Sequence, residues 1–531
     1  MLLTTLKHAA KHAALGVGLA LAISGAAQAE KVLRVGNDGE PQSMDPHYIS
    51  TVQTSRLTDD MFLGLLTYGQ DGKPIAGAAE SWTISEDGKT YTFKLRDHVW
   101  SDGTPVTAED FVYAWRRILA PETGAEYASL LYIIKGAEEV NGGKAGPEAL
   151  AAEAIDDRTL KVELTSPAPY FLAQLAHQTA FPVPKHAVEE FGRDWTKPEN
   201  IVVNGAYKLV SWTPKVEATL VKNDKFYDAD NVAIDKVIYY AMEERTAMQQ
   251  RFRAGELDVA RDIASEQIDW LRENMADSLR IAPYAGTYYY VFRCDKEPFT
   301  DARIRKAMSM AINREAIVDK VLRTGMLPAY SFVPPGTANY GEPAYADFKG
   351  MPYGEAVEKA KALMADAGYG PDNPLKITLR YNNAEDHKRI AVAVQAMWKQ
   401  IGVQTELFNT DGKIHYADLK QGSFQVARAG WIADYNDPQN FLFLMESKSG
   451  PINYSKFNNE EYDGLMAEAE AVSDLDQRAT ILREAEEVAM EGQPVAPIYY
   501  YVSKQLVSPT VVGWVDNVPD KHPTRFLDLK Q

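Results

Sequence analysis

The order of helix and strand patterns between residues 354 and 408 constrains the fold more than any other sequence feature. A helical apolar spacing at 354–367 is followed by a strand pattern at 375–381, in which every second residue is apolar. A helix pattern at 387–401 and a strand pattern at 403–408 come next. Because a strand–helix–strand order normally joins parallel strands of one sheet, with the helix packed on its face, the sequence predicts an α/β fold.

Length and composition fit a large globular protein. The chain has 531 residues, which at the usual domain size corresponds to about three folding units. Hydrophobic residues make up 45% and charged residues 24%, so the chain is not typical of a disordered segment or a fibre. The formal net charge of −18 argues against binding to nucleic acid or to anionic membrane surfaces.

The N-terminal segment is typical of a secretory leader. Lys7 and Lys11 lie in a basic stretch, residues 13–23 form a short apolar run, and Ala27 and Ala29 give the small-x-small pattern of a signal-peptidase site. We therefore predict a signal peptide that is cleaved after Ala29. The alternative is a membrane anchor, but the apolar run is too short to cross about 30 Å of hydrocarbon.

Cys294 is the single cysteine of the sequence. An exported protein with one cysteine has no internal disulfide, and without a cysteine at the predicted cleavage site it is not a lipoprotein. A soluble exported protein of this kind needs an outer membrane to stay near the cell, which predicts a Gram-negative periplasm. For Cys294 we expect a small buried side chain rather than a reactive thiol.

Two similar β-prone runs, at 288–291 and 499–502, each contain three tyrosines followed by a valine. They lie about 210 residues apart in the sequence. Strands that carry the chain out of one lobe and back again would bracket a second lobe in this way. The alternative is that both runs are core strands of one sheet, and their spacing alone leaves both interpretations open.

Motifs of the common enzymes and metal sites are absent from the sequence. It contains no G-x-S-x-G elbow, no S-x-x-K pair, no H-E-x-x-H zinc motif and no phosphate-binding G-x-x-x-x-G-K-[ST] loop. A single cysteine excludes paired-cysteine zinc or redox chemistry. Outside the predicted leader, the histidines show no metal-ligand spacing on a helix. We therefore predict no catalytic residue, no metal and no cofactor.

Several motifs follow one another in a fixed order between Ala79 and Arg117. They are A-E-S-W at 79–82, D-G-K at 87–89, F-K-L-R at 93–96 and SDGTPVTAEDFVYAWRR at 101–117. In order and spacing, this stretch resembles the signature of the family 5 solute-binding proteins of ABC importers, the peptide and nickel family. Further matching segments extend the resemblance over the mature chain, at 204–207, 223–227, 252–258, 303–314 and 494–501.

The resemblance implies a two-lobed periplasmic binding protein fold of type II with an additional inserted domain. Ligand is expected between domains I and III, which close on it by hinge motion. The two tyrosine runs would lie at the two crossings between these domains. The expected boundaries are 1–29 for the signal peptide, 30–62, 186–285 and 502–531 for domain I, 63–185 for the inserted domain II, and 286–501 for domain III.

Segment 426–438, with the sequence VARAGWIADYNDP, is most similar to the oligopeptide-binding members of that family. In those members the residue that matches Asp434 pairs with the free α-amine of the peptide. The residues that match Arg428 and His387 serve peptide C-termini of different lengths. Elementary chemistry agrees, because a buried ammonium needs a carboxylate partner and a guanidinium fork suits a carboxylate.

The resemblance assigns further ligand contacts outside this charged pair. Trp431 and Tyr127 are expected to line side-chain pockets, and the stretch around Val52 is expected to pair with the peptide backbone as a strand. Backbone pairing gives affinity without reading side chains, so one receptor can accept many peptides. Tyr500, in the second tyrosine run, is a further candidate ligand-binding residue.

Four positions depart from the pattern of the family. Ser50 and Val291 stand where glutamates are usual, Gly412 where a pocket tryptophan is usual, and Leu419 where an arginine is common. Arg293 follows the first tyrosine run, where residues approach the cleft. The loss of two negative charges and the gain of a positive one predict a weaker preference for Lys and Arg side chains.

The sequence thus predicts a monomeric periplasmic receptor that captures short peptides and delivers them to an inner-membrane permease driven by cytoplasmic ATPases. It predicts no nucleic-acid partner. Three alternatives stay open: a receptor of the same fold for murein tripeptide, a nickel chelate, haem or an oligosaccharide; a secreted peptide or cell-wall hydrolase; and a chaperone-like periplasmic protein.

Overall fold

The computed structural model describes residues 30–530, so the predicted signal peptide at 1–29 and its cleavage position lie outside the described residues. The described residues from Lys31 onwards form one compact unit. Within residues 30–530, no helix has both the length and the apolar character needed to cross a membrane.

Nineteen strands occur in the part of the chain that the structure describes. In chain order they are β1 Val32–Asn37, β2 Leu66–Tyr68, β3 Pro74–Ala76, β4 Ala79–Ile84, β5 Thr90–Leu95, β6 Ala152–Asp156, β7 Thr159–Glu163, β8 Tyr207–Thr213, β9 Glu217–Lys222, β10 Lys236–Ala241, β11 Val259–Arg261, β12 Leu279–Phe292, β13 Leu327–Pro328, β14 Leu375–Asn382, β15 Val403–Thr410, β16 Val426–Ile432, β17 Val495–Val507, β18 Val511–Val512 and β19 Asp528–Leu529.

Fifteen α-helices occur in the same described range. They are α1 Val52–Met61, α2 Ala108–Leu119, α3 Ala137–Asn141, α4 Phe171–Gln174, α5 Lys185–Phe191, α6 Arg245–Arg253, α7 Ile268–Asn274, α8 Ala302–Met310, α9 Arg314–Ala316, α10 Tyr353–Asp366, α11 Glu385–Lys399, α12 Gly412–Gln421, α13 Gln439–Leu442, α14 Glu460–Ala471 and α15 Leu475–Gly492.

The predicted strand–helix–strand unit is present. β14 and β15 pair in parallel along their whole length, with Leu375 opposite Val403. α11 connects them and buries Ile390, Val394 and Trp398, which recur at helical spacing. The α/β prediction is therefore confirmed.

One large sheet runs through the molecule. Its strand order is β15-β14-β16-β12-β17-β11-β1-β10-β9-β8, with β13 paired to β17 beside this path. For description, we call residues 31–278 and 508–530 the first lobe and residues 293–494 the second lobe. The first lobe carries β8–β11 and β1, and the second carries β14–β16, so the sheet continues from one lobe into the other.

The two long strands β12 and β17 make that connection. The beginning of β12 pairs with the end of β17, which also pairs with β11 of the first lobe. The end of β12 pairs with β16 of the second lobe. Tyr288 in the first tyrosine run lies opposite Tyr499 in the second. Both interpretations of the tyrosine runs are thus correct, because the crossing strands are also central strands of one sheet.

The pairing of β12 with β17 is interrupted where the chain passes between the lobes. The register shifts between Pro283 and Thr287. In this bulge, a Cβ on Gly286 would lie 2.4 Å from Ile432 Cδ1 and 2.9 Å from the carbonyl oxygen of Trp431. Only glycine allows such a close approach of β16 to the crossing strand.

A second, four-stranded sheet in the order β4-β5-β7-β6 belongs to the first lobe. On β5, Tyr91, Phe93 and Leu95 are buried, as their alternation predicts. α2 begins after Thr107, whose backbone N–H donates to Asp110 Oδ2 at 2.8 Å. The predicted helix start is confirmed, and the apolar core of this region is continuous with that of the rest of the first lobe.

In the second lobe, alternate residues of the crossing strands point to opposite faces of the sheet. Tyr288 and Tyr290 belong to one apolar cluster, whereas Tyr289 and Val291 belong to the cluster on the other face. Cys294 is half-buried beside the second cluster, and burial raises the pKa of its thiol to about 11. A thiol with such a pKa stays protonated, in agreement with the expected structural side chain.

Candidate ligand-binding site

Strand β16 and the loop after it bring two opposite charges to the junction between the lobes. Arg428 lies within β16, opposite Tyr290 of β12. Asp434 follows the end of the strand by two residues. Because β16 is held in register by β12 throughout 426–432, both side chains have fixed positions relative to the crossing strands.

Asp434 is half-buried, and its surroundings are mostly uncharged. Its backbone N–H donates to Asn440 Oδ1 at 3.0 Å, and the indole Nε1 of Trp431 donates to the same oxygen at 3.0 Å. Burial raises the pKa of the Asp434 carboxyl to about 7, and the positive charge of Lys521 opposes this increase. No cationic side chain that the structure describes forms an ion pair with Asp434, so its carboxylate can accept a ligand ammonium.

Tyr127 of the first lobe lies close to Asp434. The negative charge of Asp434 is the main cause that raises the pKa of the Tyr127 phenol, and burial adds to it. The ring of Tyr127 stacks on His177 with centroids 5.9 Å apart. The structure therefore brings together Tyr127, Trp431 and Asp434, three of the predicted site residues, although they come from both lobes.

Arg428 is buried without a carboxylate partner among the described residues. Its Nη1 donates to Asn382 Oδ1 at 3.1 Å and to the Tyr416 hydroxyl at 2.9 Å, and its Nη2 donates to the Tyr501 hydroxyl at 2.9 Å. Its Cζ lies 4.8 Å from the centre of the Tyr288 ring. Neutral partners orient this guanidinium but leave its positive charge unneutralised.

His387, at the start of α11, lies next to Arg428. Its ring centroid is 5.5 Å from that of Tyr288, the same ring that Arg428 covers. Burial, with the charge of Arg428, lowers the pKa of His387 to about 2, so the imidazole is neutral at pH 7. His387 Nδ1 and Arg428 Nε are buried and have no hydrogen-bond partner among residues 30–530. Such polar atoms are available to an anionic ligand group.

The structure gives Val52 and Tyr500, two further predicted site residues, different local environments. Val52 is the first residue of α1 and is exposed, so the extended conformation needed for strand-like pairing belongs to the preceding Ile49 and Thr51. The Tyr500 hydroxyl is engaged by Ser331, which donates its backbone N–H at 3.1 Å. Contacts of these two residues with a ligand stay a prediction.

Arg293 is buried and has a carboxylate partner, and its effect on ligand preference stays a prediction. Arg293 Nη2 forms an ion pair with Asp295 Oδ2 at 2.6 Å, and Nη1 donates to the carbonyl oxygen of Gly422. The guanidinium thus makes its ionic contact with a residue two positions along the chain. Val291 and Leu419 are fully buried in the apolar cluster of the second lobe. The sequence does not reveal the ion pair of Arg293 or the burial of Val291 and Leu419, because the contacts of a side chain depend on tertiary packing.

Sequence reasoning missed four residues that complete the site: Asn440, Tyr416, Tyr501 and Lys521. Asn440 lies just beyond the segment that carries the family resemblance, and Tyr501 is the neighbour of Tyr500, so proximity in sequence could have suggested both. Tyr416 and Lys521 come from distant parts of the chain, and no local pattern signals them.

Metal binding has no support from the described side chains. No group of three or more His, Cys, Asp or Glu side chains within residues 30–530 is arranged to hold a metal ion. The candidate site instead combines one carboxylate and one guanidinium, both without an ionic partner, with aromatic and amide side chains. This arrangement suits a small zwitterionic ligand.

Comparison with known proteins identifies a family for this chain. Residues 73–453 match the model of the bacterial extracellular solute-binding proteins, family 5 Middle. The chain is 41% identical over 504 residues to the periplasmic oligopeptide-binding protein OppA of Escherichia coli, covering 93% of this chain and 92% of the relative.

Two solved structures are similar along nearly the whole chain. OppA of Haemophilus influenzae, in complex with the peptide RPPGFSPFR, has a TM-score of 0.83 and 36% identity, covering 95% of this chain and 100% of that one. The murein tripeptide binding protein MppA of Escherichia coli has a TM-score of 0.85 and 36% identity, covering 95% and 99%. The two-lobed binding-protein fold is thus shared.

Proposed function

This chain belongs to the bacterial extracellular solute-binding proteins of family 5, and from that membership we propose that it captures short peptides between its two lobes for an ABC importer. A two-lobed receptor of this kind encloses its ligand and presents it to a membrane permease. The family is one of solute-binding proteins, and we propose no catalytic activity for this member.

One observation supports the proposal most strongly. Asp434 and Arg428 are groups of opposite charge on one strand and its following loop, and neither has an ionic partner among the described residues. A peptide has a free ammonium at one end and a carboxylate at the other. Each end would neutralise one of these side chains, which removes the cost of leaving a buried charge unpaired.

The other predicted contacts would surround this pair. Trp431 and Tyr127 would flank the first residues of the peptide, and the extended residues before Val52 would pair with its backbone. His387 would contact the C-terminal end beside Arg428. Tyr500 would act more indirectly, since its hydroxyl is engaged by Ser331.

Location, partners and domain organisation form a second part of the proposal. The relatives named above are periplasmic, and we extend this location to the present chain, with a signal peptide cleaved after Ala29. We propose a monomer that docks on an inner-membrane permease with cytoplasmic ATPases. Domain I would comprise 30–62, 186–285 and 502–531, the inserted domain II 63–185, and domain III 286–501.

Murein tripeptide is a second candidate ligand. The similarity to MppA, with a TM-score of 0.85, favours it as much as the similarity to OppA favours ordinary oligopeptides. A murein tripeptide also carries a free amine, so Asp434 could serve both ligands. The two differ in the groups that follow the first residue.

Mass spectrometry of the ligand that co-purifies with the protein distinguishes these possibilities. We expect short peptides with free N-termini. Isothermal titration calorimetry with a tripeptide and its N-acetylated form then tests the amine site, and the acetylated form should fail to bind because it has no ammonium for Asp434. Equal affinity of the two forms would contradict the role of Asp434, and turnover of the peptide would contradict the receptor function.

A further inference from the structure

Lys521 lies on a loop that the structure holds firmly in place. Its backbone N–H donates to Asn517 Oδ1 at 3.0 Å, and Asn517 Nδ2 donates to the carbonyl oxygen of Lys521 at 2.8 Å. The neighbouring Asp520 accepts hydrogen bonds from Gln505 Nε2 at 2.8 Å and from His522 Nε2 at 2.9 Å. The position of Lys521 is therefore fixed by the fold.

The ammonium of Lys521 is held against α1. Its Nζ donates to Asp59 Oδ2 at 2.7 Å and to Ser55 Oγ at 3.0 Å, and it lies 5.0 Å from the centre of the Tyr68 ring. The side chains of Lys521 and Asp59 are only 17% and 10% exposed. Water screens such a pair weakly, so its charges act on neighbouring groups.

Two backbone hydrogen bonds connect this loop to the amine site. Ala285, in the bulge of β12, donates its N–H to the carbonyl oxygen of Val518 at 3.0 Å and accepts from the N–H of Ala433 at 2.8 Å. Ala433 directly precedes Asp434. The loop of Lys521 and the loop of Asp434 thus meet at the same residue, and the charge of Lys521 acts on the Asp434 carboxyl.

The charges around the proposed amine site can be counted from these contacts. When both carboxyls are ionised, Asp434 and Asp59 each carry one negative charge and Lys521 carries one positive charge, while the nearby Arg56 is paired with Asp38. One net negative charge is left, which a single ligand ammonium neutralises. A second positive charge on the first residue of the ligand would have to approach Lys521 without a further carboxylate to compensate it.

We propose that Lys521, held by Asp59, is a specificity-determining residue that disfavours peptides whose first residue has a basic side chain. The inference rests on the proposed peptide-binding function and adds a rule for the first residue. Neutral and acidic first residues are accepted, because Lys521 does not repel them.

Calorimetry with the tripeptides Lys-Ala-Ala, Leu-Ala-Ala and Glu-Ala-Ala tests the rule. In Lys521→Met, the affinity for Lys-Ala-Ala relative to Glu-Ala-Ala should rise about tenfold, the size expected when one weakly screened charge is removed. In Asp59→Asn the same ratio should fall, because the positive charge of Lys521 is no longer balanced. A merely structural disturbance would not move the ratio in opposite directions in the two variants.

Lys31→Met is the matched control, since it removes a positive charge from another lysine–aspartate ion pair, with Asp528 at 2.5 Å. In this variant, the affinity for Lys-Ala-Ala relative to Glu-Ala-Ala should equal that of the wild type. An unchanged ratio in Lys521→Met and Asp59→Asn would overturn the inference, and if one variant does not fold, the other decides. Absence of binding by all three tripeptides to the wild type would instead contradict the proposed function itself.

Discussion

Tyr170 of the first lobe stacks on Tyr435 of the second lobe, with ring centroids 5.2 Å apart and an interplanar angle of 11°. Arg478 supports the stack, because its Cζ lies 5.4 Å from the centre of the Tyr170 ring. Its Nη1 and Nη2 donate to the two carboxylate oxygens of Asp437 at 2.9 and 2.8 Å. Tyr435 directly follows Asp434. The same loop therefore makes the contact between the lobes and carries the proposed amine site.

Removal of the Tyr170 ring should weaken the closed form. An aromatic pair contributes roughly 0.5–1.5 kcal/mol, so we expect Tyr170→Ala to bind peptide about twofold to tenfold less tightly. The radius of gyration of the unliganded variant, measured by small-angle scattering, should exceed that of the wild type. Tyr170→Phe keeps the ring and should behave as the wild type in both measurements. Unchanged affinity in Tyr170→Ala would show that the stack does not contribute to closure.

Substitution of Asp434 by asparagine should remove most of the peptide affinity. The variant keeps the shape of the side chain but leaves the ligand ammonium without a carboxylate, which costs about 2–5 kcal/mol at a buried charge pair. Calorimetry measures the loss. Asp97→Asn, which removes an equally negative but 88% exposed side chain, is the control and should bind normally. A loss below about tenfold in Asp434→Asn would argue against direct pairing.

The raised pKa of Asp434 predicts a distinctive pH dependence. With a pKa of about 7 in the folded protein and about 4 when unfolded, this carboxyl stabilises the fold below pH 4, and the contribution is lost as the pH rises through 7. Unliganded Asp434→Asn should therefore melt above the wild type at pH 8, by on the order of 2 °C. The difference should disappear at pH 4.

Peptide binding should show the opposite trend in the wild type, because the ammonium needs an ionised Asp434. Affinity should fall as the pH is lowered from 8 to 5, whereas Asp434→Asn should show a flatter profile. Comparison of variant and wild type isolates this carboxyl, since buried histidines such as His387 titrate equally in both. Parallel binding profiles would contradict the prediction.

Gly286 should not tolerate a side chain. A methyl group would meet the carbonyl oxygen of Trp431 at 2.9 Å, so β16 must move away from the crossing strand. We expect Gly286→Ala to lower the free energy of unfolding by about 1–3 kcal/mol, as other overpacked sites do. Gly354→Ala is the control, because nothing lies within 4 Å of its Cβ position and it sits near the start of α10. Chemical denaturation of both variants gives the comparison, and equal stability would contradict the steric argument.

Part of the site could be found without coordinates. Asp434, Arg428 and Trp431 lie in one segment of 13 residues, at 426–438, so a resemblance in local sequence was enough to select them. Tyr127 was also selected, and the structure places it beside Asp434 although it comes from the other lobe. For Arg293, the sequence does not reveal that Asp295 is its ionic partner.

The sequence by itself determined the elements of this protein, because helices and strands follow from the spacing of apolar residues along the chain. The alternation at 375–381, the burial of one face of α11 and the start of α2 after Thr107 all depend on neighbours within a few residues. Only the tertiary structure decided which charges are neutralised. Lys521 acts on Asp434 and lies against Asp59, 462 residues away in the chain, because electrostatic and hydrogen-bonded contacts depend on distance in space rather than on spacing in sequence.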